Sequence, residues 1–216
     1  LFFQQTREKT ERIIRRAKAA GCAALVVTVD IAAPAVPRER PYRERVHFPS
    51  GLDLREAVRT APQMVRALGW FRDFARDGFP GKAPMFLDDA GEPMDVFPAV
   101  HQQLDRIPTW DDLGWIREAW GDGPIMLKGI LTVEDAKRSR DAGVQGIVVS
   151  NHGGNHMDNG VPSIEMLPRI ADAVGSDLEI VLDGGIRRGS DAVKALALGA
   201  RAVGIGRGSS SRCSRR

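Results

Sequence analysis

Three stretches of the chain share one pattern of polar and apolar positions. AGCAALVVT (20–28), AGVQGIVVS (142–150) and LGARAVGIG (198–206) each carry an early glycine, a short link and then an apolar run. Each follows a stretch with helical spacing: REKTERIIRRAKAA, TVEDAKRSRDA and GSDAVKALA. A glycine just past a helix supplies the left-handed C′ residue, and the link then enters a strand. The runs are apolar throughout rather than alternating, the mark of parallel strands covered on both faces. PIMLK (124–128) and LEIVLD (178–183) read as two further strands, and SIEMLPRIADAV (163–174) as a helix between strands.

Steady alternation of helix and strand predicts βαβ units and a parallel sheet. The strands end near Thr28, Lys128, Ser150, Asp183 and Gly206, and each is followed by polar or glycine-rich residues: TVD, KG, SNHGG, DGG and GR. In a (β/α)8 barrel those ends carry the active site. A doubly wound sheet is the competing architecture, but its dinucleotide fingerprint should follow the first strand. No GxGxxG follows Thr28, and the glycines gather at the last strands. The reading is therefore a partial (β/α)8 barrel. A complete one needs eight strands and about 250 residues, so the chain reads as short at the front and altered at the back.

Residues 31–123 interrupt the repeat. They are rich in Pro, Arg, Asp and Trp, with helices expected around LDLREAV and MVRALGWFRDFA. Long excursions after a barrel strand are commonly lids or substrate loops. The four tryptophans, Trp70, Trp110, Trp115 and Trp120, all fall there and are expected to anchor its packing. The domain reading is thus a barrel over 1–207, with 31–123 as a lid, and a disordered Ser/Arg tail over 208–216.

Composition changes this picture little. Apolar residues make up 43% and charged residues 27%, ordinary for a globular chain. No apolar run is long enough to span a bilayer, and LFFQQTREKT lacks the features of a secretory leader. Cys22 and Cys213 lie far apart without metal-type spacing, and Cys22 is expected to be buried in its strand run. Reduced cytoplasmic chemistry fits, at most peripheral to a membrane. The net charge of +3 equals the three arginines of the tail GSSSRCSRR, so the remainder is balanced. That excludes a nucleic-acid surface built on a basic face.

The candidate chemistry lies at the strand ends. In SNHGGNHMDNG (150–160), His152 follows a buried strand and precedes two glycines, which puts an imidazole at the barrel mouth with room for a planar ligand. His156 reads as a loop-lining residue. DGGIRRGSD (183–191) and GIGR (204–207) stand where barrels bind phosphate, through backbone N–H groups and a helix N-terminus. Arg187 or Arg188, together with Arg207, would supply charge and forked donors. Lys128 at a strand end is costly to bury unpaired and reads as a cofactor anchor or anion stabiliser. Asp30 could orient a histidine from a neighbouring loop.

Taken in order, TVD, LKGILTVEDA, VSNHGG, VLDGGIRRGSD and GIGR resemble the FMN-dependent enzymes that oxidise 2-hydroxy acids, among them L-lactate dehydrogenases, glycolate oxidase and mandelate dehydrogenase. The resemblance covers 1–30 and 124–207 well and the intervening loop loosely. It implies barrel strands of about four to eight and FMN as cofactor. It also implies a small L-2-hydroxy acid such as L-lactate as substrate, and a homo-oligomer in the complete protein. His152 would be the base, Asp30 its imidazolium partner, and Lys128 the stabiliser of the reduced flavin. Thr28 and Ser150 would bond the flavin ring and Asp183 the ribityl chain, with Gly185, Arg187, Gly206 and Arg207 around the phosphate.

Three departures from the family pattern matter. Asn155 stands where an arginine normally clamps the substrate carboxylate, and an amide cannot form the charged bidentate pair. Phe2 occupies the place of an active-site tyrosine, without the preceding glutamine. The strands that would come earlier, with their flavin-covering segment, are missing. The second carboxylate-binding arginine is expected at Arg38, with Arg40 as the alternative. Two other readings stay open: an FMN barrel with a noncarboxylate or peptide-derived substrate, and a non-catalytic remnant, either an inactive fragment or a partner-binding half barrel.

Overall fold

The computed structural model describes residues 1–4, 6–31, 65, 68–76, 82–88, 90–95, 108–154 and 160–206. The elements in chain order are α1 (Arg7–Ala19), β1 (Leu25–Thr28), α2 (Leu68–Arg76), β2 (Lys82–Leu87), β3 (Pro93–Asp95), α3 (Asp112–Trp120), β4 (Ile125–Ile130), α4 (Val133–Asp141), β5 (Gly146–Val149), α5 (Ser163–Val174), β6 (Glu179–Leu182), α6 (Gly189–Ala197) and β7 (Ala202–Val203). A 3-10 turn at His152–Gly154 separates β5 from α5.

Among the described residues, five strands form one parallel sheet in the order β1-β4-β5-β6-β7. A doubly wound sheet reverses its strand order at a switch point, whereas a barrel adds each strand beside the last. The order here is sequential, which is the barrel arrangement, and among the described residues the sheet does not close. At its first edge the chain runs on beside β1: Thr28 N–H donates to the Leu1 carbonyl at 3.0 Å, and Leu1 N–H donates to the Val26 carbonyl.

The expected helix stops are present. Gly21, Gly143 and Gly199 have φ of +75°, +74° and +105° and turn the chain out of α1, α4 and α6. Thr6 and Thr132 cap the opposite ends of α1 and α4, accepting from the Lys9 and Asp135 amides at 3.3 and 3.0 Å. Val27, Leu127, Ile147, Val149, Ile180 and Leu182 pack against Ile14, Ile116, Leu167 and Ile170 from the helices, all essentially solvent-free. Each such side chain contributes about 1.5–3 kcal/mol by leaving water.

Several expectations need correction. Cys22 is exposed, because β1 begins only at Leu25 and the residues after Gly21 form the surface link. β4 runs on to Ile130, two residues past Lys128, and β7 stops at Val203, short of Gly206. The interruption contains an antiparallel hairpin, β2–β3, which the sequence reading left out. It also ends in α3, whose Trp115, Ile116 and Trp120 are buried in the barrel core rather than in a separate excursion. Trp70 is exposed on α2. The expected helix at LDLREAV, Cys213 and the Ser/Arg tail lie outside the described residues. Among the described residues no helix is long and apolar enough to cross a membrane.

One buried carboxylate sets the approach to α3. Asp112 accepts from the Thr109 amide at 2.8 Å, the Thr109 hydroxyl at 3.0 Å and the Trp115 indole N–H at 2.8 Å. An alanine there leaves those donors without this acceptor in a water-poor site. Asp112→Ala is expected to lower the unfolding free energy of the complete protein by about 3 kcal/mol, measured by denaturant titration. A loss below about 0.5 kcal/mol would show that water replaces the carboxylate without cost.

Candidate active site

The period of two along a strand decides which side chains reach the rim. Thr28, Lys128, Val148 and Val181 lie level with one another across the sheet. Two residues further on, and therefore on the same face, come Asp30, Ser150 and Asp183. The pattern that buries Leu127, Val149 and Leu182 under helices thus raises three oxygen-bearing side chains at the carboxyl end of the sheet.

Ser150 is fully buried and is shared by two donors. Its Oγ accepts from Lys128 Nζ at 3.0 Å and from the His152 amide at 3.1 Å. With both lone pairs engaged, what the hydroxyl still offers is its proton. Lys128 also meets Asp183 Oδ2 at 3.5 Å, so its ammonium is held between an alcohol and a carboxylate at the edge of the cleft. Ser163, at the start of α5, fixes the Asp183 backbone by donating to its carbonyl at 2.6 Å.

His152 reaches the rim through a tight turn. It has φ +53°, uncommon for a residue with a side chain. The Gly153 amide donates to Asn151 Oδ1 at 3.1 Å, and the Gly154 amide to the Asn151 carbonyl at 2.7 Å. This turn carries the imidazole across to β1, where Nδ1 lies 3.1 Å from Asp30 Oδ1. A carboxylate oxygen accepts, so Nδ1 carries the proton and Nε2 becomes the basic nitrogen. The Phe2 ring stands 6.4 Å from the imidazole centroid, tilted by 49°.

A cleft of about 550 Å³ opens beside these groups, within the range of small-molecule and cofactor sites. Lys128, His152, Asp183 and Arg187 line it, together with glycines of the loops after β6 and β7, including Gly185 and Gly206. Thr28, Asp30 and Ser150 stand behind this lining. Arg38, Arg40, Asn155, His156 and Arg207 lie outside the described residues.

Asp191 is a residue that the sequence reading did not single out. It sits in the first turn of α6, and its Oδ2 accepts from the Arg187 and Arg188 amides at 3.0 and 2.9 Å. Those two bonds, first Arg187 and then Arg188, hold its carboxyl below the ordinary carboxylate range. They also fix the loop that presents Gly185 and Arg187 to the cleft. Asn151 and Ser163 were missed as well. The signal for Asp191 was present, since an acid in a helix's first turn commonly binds preceding amides.

The described residues fit a flavin mononucleotide. Among them, the buried side-chain oxygens without a hydrogen-bond partner are Asp30 Oδ2 and Asp183 Oδ1. Asp183 lines the cleft, so its orphan oxygen fits a ligand hydroxyl such as those of a ribityl chain. Lys128 offers a cation, and the glycines beside Arg187 leave room for a phosphate at the N-terminus of α6. Fold and site together fit an FMN-binding barrel.

Comparison with known proteins agrees. The family model for FMN-dependent dehydrogenases matches residues 1–210, and the chain belongs to that family. It is 42% identical to a pre-mycofactocin synthase of Mycobacterium tuberculosis (strain H37Rv), over 96% of this chain and 52% of that protein. It is also 42% identical to an L-lactate dehydrogenase of Actinobacillus pleuropneumoniae serotype 5b, over 96% of this chain and 53% of that protein. A mandelate oxidase solved with 3,3-difluoro-2-hydroxy-3-phenylpropionic acid superposes with a TM-score of 0.62 at 36% identity, covering 96% of this chain and 48% of that one. A mandelate oxidase variant carrying a monooxide FMN adduct gives 0.61 at 34% identity, over 96% and 47%. The chain spans about half the length of these relatives. FMN is the family's cofactor.

The Asp191 geometry carries a pH test. A depressed folded-state pKa stabilises the loop above the ordinary carboxylate range, and that contribution is lost as pH falls through the lowered value. The Arg187 and Arg188 amide proton resonances are expected to stay downfield at neutral pH and move upfield together on acidification. In Asp191→Ala they should lie upfield at every pH. Amides that ignore both the titration and the substitution would remove Asp191 as the loop's pin.

Proposed function

We propose that the complete protein uses FMN to oxidise a small L-2-hydroxy acid, such as L-lactate, to the 2-oxo acid. The carrying observation is the His152–Asp30 pair at 3.1 Å, joined across the sheet and set beside Lys128 on one cleft. When bound, FMN supplies the two-electron acceptor that no side chain provides. His152 Nε2 takes the proton from the substrate's carbinol carbon or from its hydroxyl. The imidazolium that forms is stabilised by Asp30, the usual work of an acid behind a catalytic histidine. Lys128, held by Ser150 and Asp183, would supply preorganised positive charge beside the cofactor.

In this reading Thr28 and Ser150 bond the flavin ring and Asp183 the ribityl hydroxyls. Gly185, Arg187, Gly206 and Arg207 receive the phosphate. Phe2 borders the substrate beside His152, and Arg38 and Asn155 face its carboxylate. The complete protein assembles as a homo-oligomer.

A second reading has one specific feature in its favour. Asn155 replaces the arginine that the family pattern places at the substrate carboxylate, and a relative as similar as the lactate dehydrogenase is named pre-mycofactocin synthase. A noncarboxylate or peptide-derived substrate would not need that arginine.

Two variants of the complete protein test these readings. His152→Ala should keep stoichiometric FMN yet slow anaerobic flavin bleaching by L-lactate, or by whichever 2-hydroxy acid is active, at least about a hundredfold. Bleaching at near wild-type rate would end the assignment of His152. Asn155→Arg should raise kcat/KM for small 2-hydroxy acids more than about tenfold, since a hydrogen bond to a charged group is worth roughly 1.5–3 kcal/mol. No gain, or a loss, favours the noncarboxylate substrate.

A further inference from the structure

We propose that Gly129 is a positioning residue. The missing side chain at this point of β4 sets the place of the Asp30 carboxylate and, through it, the orientation of His152. The inference rests on the reading of His152 as the base.

The strand register creates the position. Lys128 pairs with Val148, but Ile130 pairs with Val149, so Gly129 is an extra residue bulged out of the β4–β5 ladder. The bulge reverses the side-chain alternation. Ile130 turns into the core, 2% exposed, instead of following Lys128 onto the rim face. Gly129 then takes the place beside Asp30 with φ +108°, a conformation that residues with side chains rarely adopt.

Asp30 fills the space above it. A Cβ on Gly129 would stand 2.4 Å from Asp30 Cβ, 2.6 Å from its Cγ and 3.0 Å from its amide nitrogen, where ordinary contact is 3.4–4 Å. Asp30 would have to give way by about 1 Å, and its backbone cannot easily follow, because the Val29 amide is bonded to the Lys128 carbonyl at 2.9 Å. The side chain must swing instead. A hydrogen bond of 3.1 Å does not survive a shift of that size. The bulge therefore does two things at once: it ends the run of rim-facing side chains at Lys128 and clears the place for the carboxylate that orients the base.

A bulge glycine also serves the backbone alone, and the two roles separate in an Asp30→Gly background. That change deletes the two closest atoms, Cβ and Cγ, while leaving the φ demand of position 129 untouched.

The experiment uses the complete FMN-loaded protein. In the wild type, the His152 Nδ1 proton should give a downfield resonance by NMR, identified by its loss in His152→Ala. Gly129→Ala should abolish that resonance while FMN affinity and KM stay within about threefold. The rate of flavin reduction should fall at least about tenfold, but no further than in Asp30→Gly. Adding Gly129→Ala to Asp30→Gly should then cost less than about threefold more.

A persisting Nδ1 resonance in Gly129→Ala, or full multiplication of the two rate losses, would overturn the proposal. If Gly129→Ala does not fold, recovery of folding in the double variant supports the steric link. A double variant that also fails assigns the glycine to backbone strain alone and ends the proposal. The NMR comparison needs no substrate, so a protein that oxidises no 2-hydroxy acid would sink the functional reading while Gly129 is still decided.

Discussion

The site depends on the parallel register of neighbouring strands. Thr28, Lys128 and Val148 stand level because three strands run the same way with their carboxyl ends together. Slipping any strand by one residue would put its rim side chain under the helices and a core side chain into the cleft. The hydrophobic demand of Leu127, Val149 and Leu182 therefore fixes where Lys128, Ser150 and Asp183 point. Core packing and site geometry are one constraint seen from opposite faces of the sheet.

Electrostatics completes what register begins. A lysine and two aspartates stand mostly out of solvent at the rim, and each has a defined counterpart: Lys128 has Ser150 and Asp183, and Asp30 has His152. Partial burial strengthens each pairing and raises the cost of any oxygen left unsatisfied. Asp183 Oδ1 and Asp30 Oδ2 are such oxygens among the described residues. Oxygens so placed fit a ligand that brings donors, as a polyhydroxylated cofactor chain does. Unsatisfied polarity here is consistent with function, whereas the same feature in the helical layer would signal poor packing.

The family resemblance and the geometry support one another at different points. Motif matches name the residues, but they do not say that an aspartate after β1 touches a histidine after β5. The structure supplies that contact, and it also supplies the supporting residues that the motifs passed over: Ser163 under Asp183, Asn151 in the turn, and Asp191 beneath the Arg187–Arg188 loop. The loop after β5 is where the chain departs from the family pattern, at Asn155. Chemistry common to a family can thus sit on the fixed rim while specificity varies in the loops.

Much of this was legible in the chain itself. Continuous apolar runs after C′ glycines determined parallel strands, and the polar residues closing each run determined the rim candidates, because burial and strand period act locally. Asp30, Lys128, Ser150, His152 and Asp183 could all be named in that way. The hairpin β2–β3 and the helix α3 were not, since a short strand pair and three tryptophans in a Pro- and Asp-rich stretch give no clear period. Cys22 was misjudged for a related reason: a link and a strand have similar composition, and only hydrogen bonding marks where β1 begins. The sequence alone thus determined the fold class, the family resemblance and the chemical inventory. The tertiary structure alone decided the contacts between residues far apart in the chain, His152 with Asp30 and Asp30 against Gly129, because strand register and a one-residue bulge are set by pairing between segments rather than by either segment alone.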